Sequence, residues 1–219
     1  MIRQLIVAMF ALSAAWGLAF ADDTATSRVI GSVDIAPGQH SGDVSTVNGS
    51  IHIGENAVVG HTNTVNGSVT LDRRATAAEL SCVNGSIHVH DGARVTGKVH
   101  AVNGSLHVED GAEVLGDLGN VNGNIQVAAA HIGGSIDTTN GGITLGPNAH
   151  IDGGITMEKD SSWFHFGFQD VPRVVVGPGT AVKGRLRFAR KVALYVSDRA
   201  TIGPVEGATV VRFPGDHPP

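Results

Sequence analysis

The sequence predicts an all-β protein, a single-stranded parallel β-solenoid of about nine coils of 18–20 residues each. Short β runs with apolar residues at alternate positions recur along the chain, and glycine, at 30 of 219 residues, punctuates them. No stretch shows the long 3.6-residue period of a helix. Because one such unit cannot bury its apolar side alone, it has to stack against the next copy.

The most regular unit reads Val-Asn-Gly-Ser-Ile-x-Val. Its copies, the last two of them weaker, begin at Val47, Val65, Val83, Val102, Val121 and Thr139. Asn-Gly tolerates positive φ at a turn, and asparagine side chains stacked at such a turn can hydrogen-bond from coil to coil. The repeat therefore predicts a structural asparagine ladder of six members: Asn48, Asn66, Asn84, Asn103, Asn122 and Asn140.

The handedness is predicted from the spacing within a coil. Apolar residues such as Val47, Ile53 and Val59 step by six, and three steps make one turn, as in a left-handed hexapeptide helix. Strict hexapeptide coils place a small residue two positions before the main apolar one, where this chain has Ile51 and Val69. Some coils are also longer than 18 residues. A right-handed solenoid is therefore favoured over a left-handed one.

The first 21 residues predict a secretory signal peptide. Arg3 supplies a positive charge, an apolar run extends from Leu5 to Phe20, and Ala19-Phe20-Ala21 has the form of a cleavage site. The mature chain is expected to be periplasmic, or secreted and at the cell surface. No integral membrane segment is expected after signal cleavage, because no later stretch approaches the roughly 20 apolar residues that a span needs.

The mature chain is expected to have a lead-in at 22–28, a solenoid over 29–209 and a tail or cap at 210–219. One repeat is too long, since 31 residues separate Ile143 from Val174, and the surplus forms an insertion at 158–171. The insertion is interpreted either as a flap on the solenoid or as a partner-contacting patch. Its aromatic residues are Trp163, Phe164, Phe166 and Phe168.

Charge and motif content limit the function classes. Removing Arg3 leaves 14 Lys and Arg against 20 Asp and Glu, a net charge of −6 (14 − 20), which argues against nucleic acid as a partner. The single Cys82 cannot form an internal disulfide, and we expect it to pack in a coil. We find no nucleophile elbow, phosphate-binding loop or cysteine-pair motif. No catalytic residue, cofactor or metal is therefore predicted.

Three histidines, His52, His88 and His107, occupy the same outward slot of their coils. Imidazoles on one face could bind a metal. However, His52 and His88 are two coils apart, roughly 9.6 Å by the strand spacing, which is too far to share an ion. His88 and His107 alone supply two ligands. We therefore predict a solvated polar face.

The repeats resemble two related bacterial groups, the bactofilins, which are polymer-forming cytoskeletal proteins, and the adhesin family with β-strand repeats. The resemblance rests on the Val-Asn-Gly-Ser-Ile-x-Val units and on Gly-x-x-Val-x-Gly-x-Val segments such as 92–99, and it spans roughly 29–205. It implies a right-handed β-helix whose open ends stack into filaments without nucleotide or metal. Typical bactofilins are cytoplasmic, so the signal peptide favours the adhesin-like group.

Three functions follow as hypotheses. The first is a non-enzymatic exported scaffold or adhesin-like protein that can self-assemble end to end as a homopolymer. The alternative is a module that binds envelope polysaccharide or an envelope protein through a lateral face or the 158–171 loop. The third is a β-helix enzyme acting on polysaccharide, which would need an acid and a base facing each other in a cleft.

Overall fold

A computed structural model describes residues 25–159 and 171–215 of the chain. Within these ranges the chain forms 27 β-strands and no helix, so none of the described residues belongs to a helix that could cross a membrane. The predicted signal peptide and the four aromatic residues of the insertion lie outside the described residues.

Each turn of the chain contributes up to three strand segments. The first segments form a sheet of ten strands: β2 (Val33–Ile35), β5 (Ile51–Ile53), β7 (Val69–Leu71), β9 (Ile87–Val89), β12 (Leu106–Val108), β15 (Ile125–Val127), β18 (Ile143–Leu145), β21 (Arg173–Val176), β24 (Ala193–Ser197) and β27 (Val210–Phe213). Their order in the sheet follows their order in the chain, as expected for a solenoid.

The other two segments of each turn belong to a second sheet of 17 strands. The short second segments are β3 (His40–Ser41), β10 (Arg94–Val95), β13 (Glu113–Val114), β16 (His131–Ile132), β19 (His150–Ile151), β22 (Ala181–Val182) and β25 (Thr201–Ile202). The third segments are β1 (Thr26–Ile30), β4 (Val44–Asn48), β11 (Val99–Asn103), β14 (Leu118–Asn122), β17 (Ile136–Asn140), β20 (Ile155–Met157), β23 (Leu186–Phe188) and β26 (Val205–Glu206). Two long strands, β6 (Val58–Asn66) and β8 (Thr76–Asn84), each combine both segments.

All strand pairings are parallel and join each strand to its counterpart one turn later, which confirms the predicted β-solenoid. Val33 pairs with Ile51 and Ile51 with Val69, so these turns take 18 residues each. The first sheet has ten strands where the sequence predicted about nine coils. The additional strand is β27, which comes from the stretch expected to be a tail or cap. At the other end, β1 begins within the expected lead-in.

The core lies inside the coils and is built from columns of equivalent side chains. On β5, Ile51 and Ile53 are fully buried while His52 between them is exposed, because successive side chains of a strand point to opposite sides. An inner corner is lined by a column of alanines: Ala57, Ala75, Ala93, Ala112, Ala130 and Ala149. Each fully buried Ile or Leu contributes roughly 1.5–3 kcal/mol, so the columns supply most of the stability.

Not every apolar residue on the six-residue step belongs to the core. Val47 is 40% exposed, because Val44 and Thr46 on the same strand point inward and alternation turns Val47 outward. The third segments therefore carry a partly exposed valine column, in which Val65 and Val83 follow Val47.

Candidate functional site: side-chain ladders, solenoid ends and a polar cleft

The six asparagines form one continuous side-chain ladder along a corner of the solenoid. The side-chain amide of each asparagine donates to the amide oxygen of the one before it, at 2.8–3.1 Å for all five steps. The glycine that follows each asparagine makes this stacking possible. At Gly85, for example, φ is +149°, and a Cβ would lie 2.1 Å from the carbonyl oxygen of Gly67. The ladder therefore stabilises the corner with one side-chain hydrogen bond between each pair of neighbouring turns.

A second ladder runs beside the asparagines. The backbone N–H groups of four serines donate to the serine hydroxyl one turn earlier, at 3.1–3.2 Å; the donors are Ser50, Ser68, Ser86 and Ser105. Further along the column, Asn124 replaces the serine and accepts from the backbone N–H of Gly142 at 2.9 Å. This corner is therefore held both by backbone pairing and by side chains.

Cys82 lies in an inward column of hydrogen-bond donors. Thr64, one turn earlier, donates its hydroxyl to the carbonyl oxygen of Gly49 at 2.9 Å. The thiol of Cys82 lies 3.1 Å from the carbonyl oxygen of Gly67 in the same way. Burial raises the pKa of this thiol to about 11. Cys82 is therefore protonated at neutral pH and suits packing rather than nucleophilic attack.

The histidine slot is an outward column of the first sheet. His52 pairs with Thr70, Thr70 with His88 and His88 with His107. The rings of His88 and His107 stack with centroids 4.7 Å apart and planes 1° apart. Desolvation, and secondarily His107 and His90, lower the pKa of His88. Among the described residues, no three His, Cys, Asp or Glu side chains are placed to hold a metal ion.

A shallow groove crosses the third segments where Gly119 lacks a side chain between His100 and Asp137. Burial and then Lys98 lower the pKa of His100. Burial raises the pKa of Asp137, and repulsion from Asp117 acts in the same direction. The two shifts reflect desolvation of groups held two strands apart, and they do not by themselves assign a reaction.

The C-terminal end of the solenoid is closed by Arg212. Arg212 pairs with Val196 and so stands in the column that is inward in the earlier turns. Its guanidinium donates to the carbonyl oxygens of Ser197 at 2.9 Å and of Ala200 at 3.3 Å. One turn earlier, the equivalent carbonyl, that of Thr180, accepts from the backbone N–H of Thr201. Arg212 thus replaces a backbone donor that a further coil would supply.

The N-terminal end also carries polar residues in columns that are apolar elsewhere. Ser41 pairs with Val59 and is buried in the first turn. Gln39 stands where the next turn has Ala57, and its side-chain oxygen accepts from the backbone N–H of Ala36 at 3.1 Å. Among the described residues, polar groups therefore interrupt apolar columns at both ends, although Val29 and Ile30 of β1 remain exposed.

A cleft opens beside the insertion, where the asparagine ladder ends. The cleft has a volume of about 580 Å³ and is open to solvent, and amide, hydroxyl and guanidinium groups line part of it. Its polar side chains are Asn124, Gln126, Asn140, Thr144, Arg173 and Arg190. The insertion itself leaves β20 and returns at β21, so that the turn from Ile143 to Val174 takes 31 residues.

The two arginines of the cleft were not predicted from the sequence. Arg190 donates to the side-chain oxygen of Asn140 at 2.6 Å and to the carbonyl of Thr139 at 3.2 Å, and so caps the ladder. Arg173 lies over the ring of Tyr195, with its central guanidinium carbon 4.7 Å from the ring centroid. Aligning the last coils on their inward residues would have placed Arg190 in the asparagine column, two turns beyond Asn140.

Comparisons of this chain with protein-family models, with curated proteins and with solved structures find no match.

Proposed function

We propose that the protein is an exported, non-enzymatic scaffold of adhesin-like type that works as a single rod and presents its lateral faces to a component of the cell envelope. The observation that carries the proposal is the contrast between sides and ends. The sides carry ladders that continue over many turns, whereas Arg212 uses its guanidinium on the carbonyl groups of the last complete turn.

Rigid lateral faces suit a binding scaffold. Five asparagine steps and four serine steps fix neighbouring turns against each other, so side chains on the faces keep their spacing along the axis. Ten strands separated by about 4.8 Å give a rod roughly 43 Å long between its first and last strands. A surface of that length can contact an extended ligand at several points.

A second candidate is end-to-end polymerisation, which one observation favours. Within the described residues, β2 pairs only with β5 and β27 pairs only with β24, so each has one edge without a strand partner. Strand edges of this kind invite pairing with another chain. We place this function second, because a second copy at the C-terminal end would have to displace Arg212 from the carbonyl groups that it caps.

The test is to express the full chain in a Gram-negative host and to recover it from the periplasm. We expect its intact mass to correspond to a chain beginning at Asp22, and light scattering to give the mass of one chain at every concentration. A cytoplasmic, uncleaved product would overturn export. Filaments seen by negative-stain electron microscopy would overturn the single rod and establish the second candidate.

A further inference from the structure

We infer that the cleft beside the insertion is a binding site for an acidic saccharide, one that carries carboxylate groups on its sugar rings. The inference rests on the proposed role as an exported binding scaffold and names the ligand class of one of its surfaces. Three features of the cleft lead to it: its charge, the state of its hydrogen-bonding groups and the way in which its arginines are held.

The described lining of the cleft is basic, although the chain as a whole is acidic. The whole chain has a formal net charge of −5, yet the described residues that line the cleft include two arginines and no Asp or Glu. Arg190 forms no ion pair with a described carboxylate, since both of its bonds go to neutral oxygens, those of Thr139 and Asn140. A guanidinium that bonds only neutral acceptors retains its attraction for a carboxylate.

Both arginines are held before any ligand arrives. Arg190 is fixed by its bonds to the end of the ladder, and Arg173 by stacking on Tyr195. A side chain that is already ordered loses less conformational entropy on binding. The floor between the arginines is backbone, because Gly142 packs so closely on Arg173 that a Cβ would lie 2.9 Å from the Arg173 carbonyl oxygen.

The remaining polar groups suit sugar hydroxyls. Gln126 and Thr144 are neighbours in one outward column, about 4.8 Å apart by the strand spacing, and neither side chain hydrogen-bonds to another part of the described chain. Amide and hydroxyl groups can both donate and accept, as sugar hydroxyls require. A row of neutral groups near the Arg190 guanidinium matches a saccharide with both hydroxyl and carboxylate groups better than it matches a simple anion.

The test is isothermal titration calorimetry of the mature chain with a galacturonic acid hexamer. We expect binding of the hexamer and no binding of maltohexaose, which has the hydroxyl groups without the carboxylates. Arg190→Gln should weaken binding about tenfold, the usual loss when one charge-assisted hydrogen bond is removed. The matched control is Arg185→Gln. Arg185 lies outside the cleft and pairs with Glu206 at 2.7 Å, so this change should leave binding unaltered.

A second variant keeps the test valid if Arg190→Gln disturbs the ladder. Thr144→Ala removes a free hydroxyl from an exposed position and should weaken hexamer binding without changing the melting temperature. Equal binding of maltohexaose, or equal loss with Arg185→Gln, would overturn the site. Tighter binding of inorganic polyphosphate than of the hexamer would overturn the saccharide class. If the protein is still exported and still has the mass of one chain, any of these results would overturn the saccharide site alone and not the proposed scaffold function.

Discussion

Two buried threonines on β6 differ in whether their hydroxyl groups have a hydrogen-bond partner. Thr62 and Thr64 both point inward and both are buried. The hydroxyl of Thr64 donates to the carbonyl oxygen of Gly49 at 2.9 Å. The hydroxyl of Thr62 has no hydrogen-bond partner within the described chain, and its column neighbours are Val44 and Leu80. An unpaired buried hydroxyl costs free energy that a paired one does not.

We therefore expect opposite results from the same substitution two residues apart. Thr62→Val removes an unpaired hydroxyl at nearly constant volume and should raise the free energy of unfolding by about 1 kcal/mol. Thr64→Val leaves the Gly49 carbonyl without its donor and should lower that free energy by about 1 kcal/mol. Urea denaturation followed by circular dichroism measures both. Shifts of the same sign would show that the hydroxyl of Thr62 has a partner in solution.

Sequence reasoning placed some residues well and missed others for a physical reason. Alternation along a strand predicted that His52 and His88 face outward, and both do. It did not identify Thr62 as a polar residue in an apolar column, because the repeat was aligned on the Asn-Gly units and on the six-residue step, and neither includes position 62. Arg190 was missed because its role depends on a contact with Asn140, 50 residues earlier in the chain.

At the scale of the element, two kinds of tight turn contain glycine for different reasons. In the Asn-Gly turns, glycine is required by both conformation and space, as at Gly85. In the turn after the first segment, Gly38 has φ of +70° but open space around its missing Cβ. Later turns place Asn56 and Arg74 at the equivalent position with φ of 59° and 56°. Only the first kind of turn excludes a side chain.

We expect a Gly→Ala substitution to destabilise the protein by different amounts in the two kinds of turn. Gly85→Ala adds backbone strain to a clash with Gly67 and should destabilise the protein by about 3 kcal/mol or more. Gly38→Ala meets no steric clash, so only the unfavourable positive φ should lower the stability, by about 1 kcal/mol. Thermal unfolding of both variants beside the native chain measures the difference. Similar losses at the two positions would contradict the packing assigned to the Asn-Gly corner.

For the whole molecule, the ends decide whether the rod stays single. Repeating proteins need terminal coils that protect the core and limit association. Here the column that contains Val196 ends at Arg212, which is exposed, Phe213 beside it is buried, and the first turn places Gln39 and Ser41 in apolar columns. Arg212 was not recognised in the sequence, because the final coils depart from the spacing that identified the others: Leu194 and Val210 pair at a separation of 16 residues.

Changing the cap should change the assembly state. Arg212→Leu frees the carbonyl groups of Ser197 and Ala200 and extends the apolar column to the end of the rod. We expect this variant to associate with rising concentration, measured by light scattering, while the native chain does not. Arg187→Leu is the control, because Arg187 is exposed on β23 and caps no carbonyl within the described chain. Association of both variants to the same extent would attribute the effect to added hydrophobicity and not to the lost cap.

The parallel stacking of turns also determines how the rod yields to force. Pulling on the two chain ends does not load all strand pairings at once, since each turn is bonded only to the turns directly before and after it. The terminal turn peels first, and its release exposes the next. Each 18-residue turn then adds roughly 60 Å of extended chain. A tether built in this way would lengthen one turn at a time, with its longest step at the 31-residue turn, and would absorb a sudden load while its remaining turns stay folded.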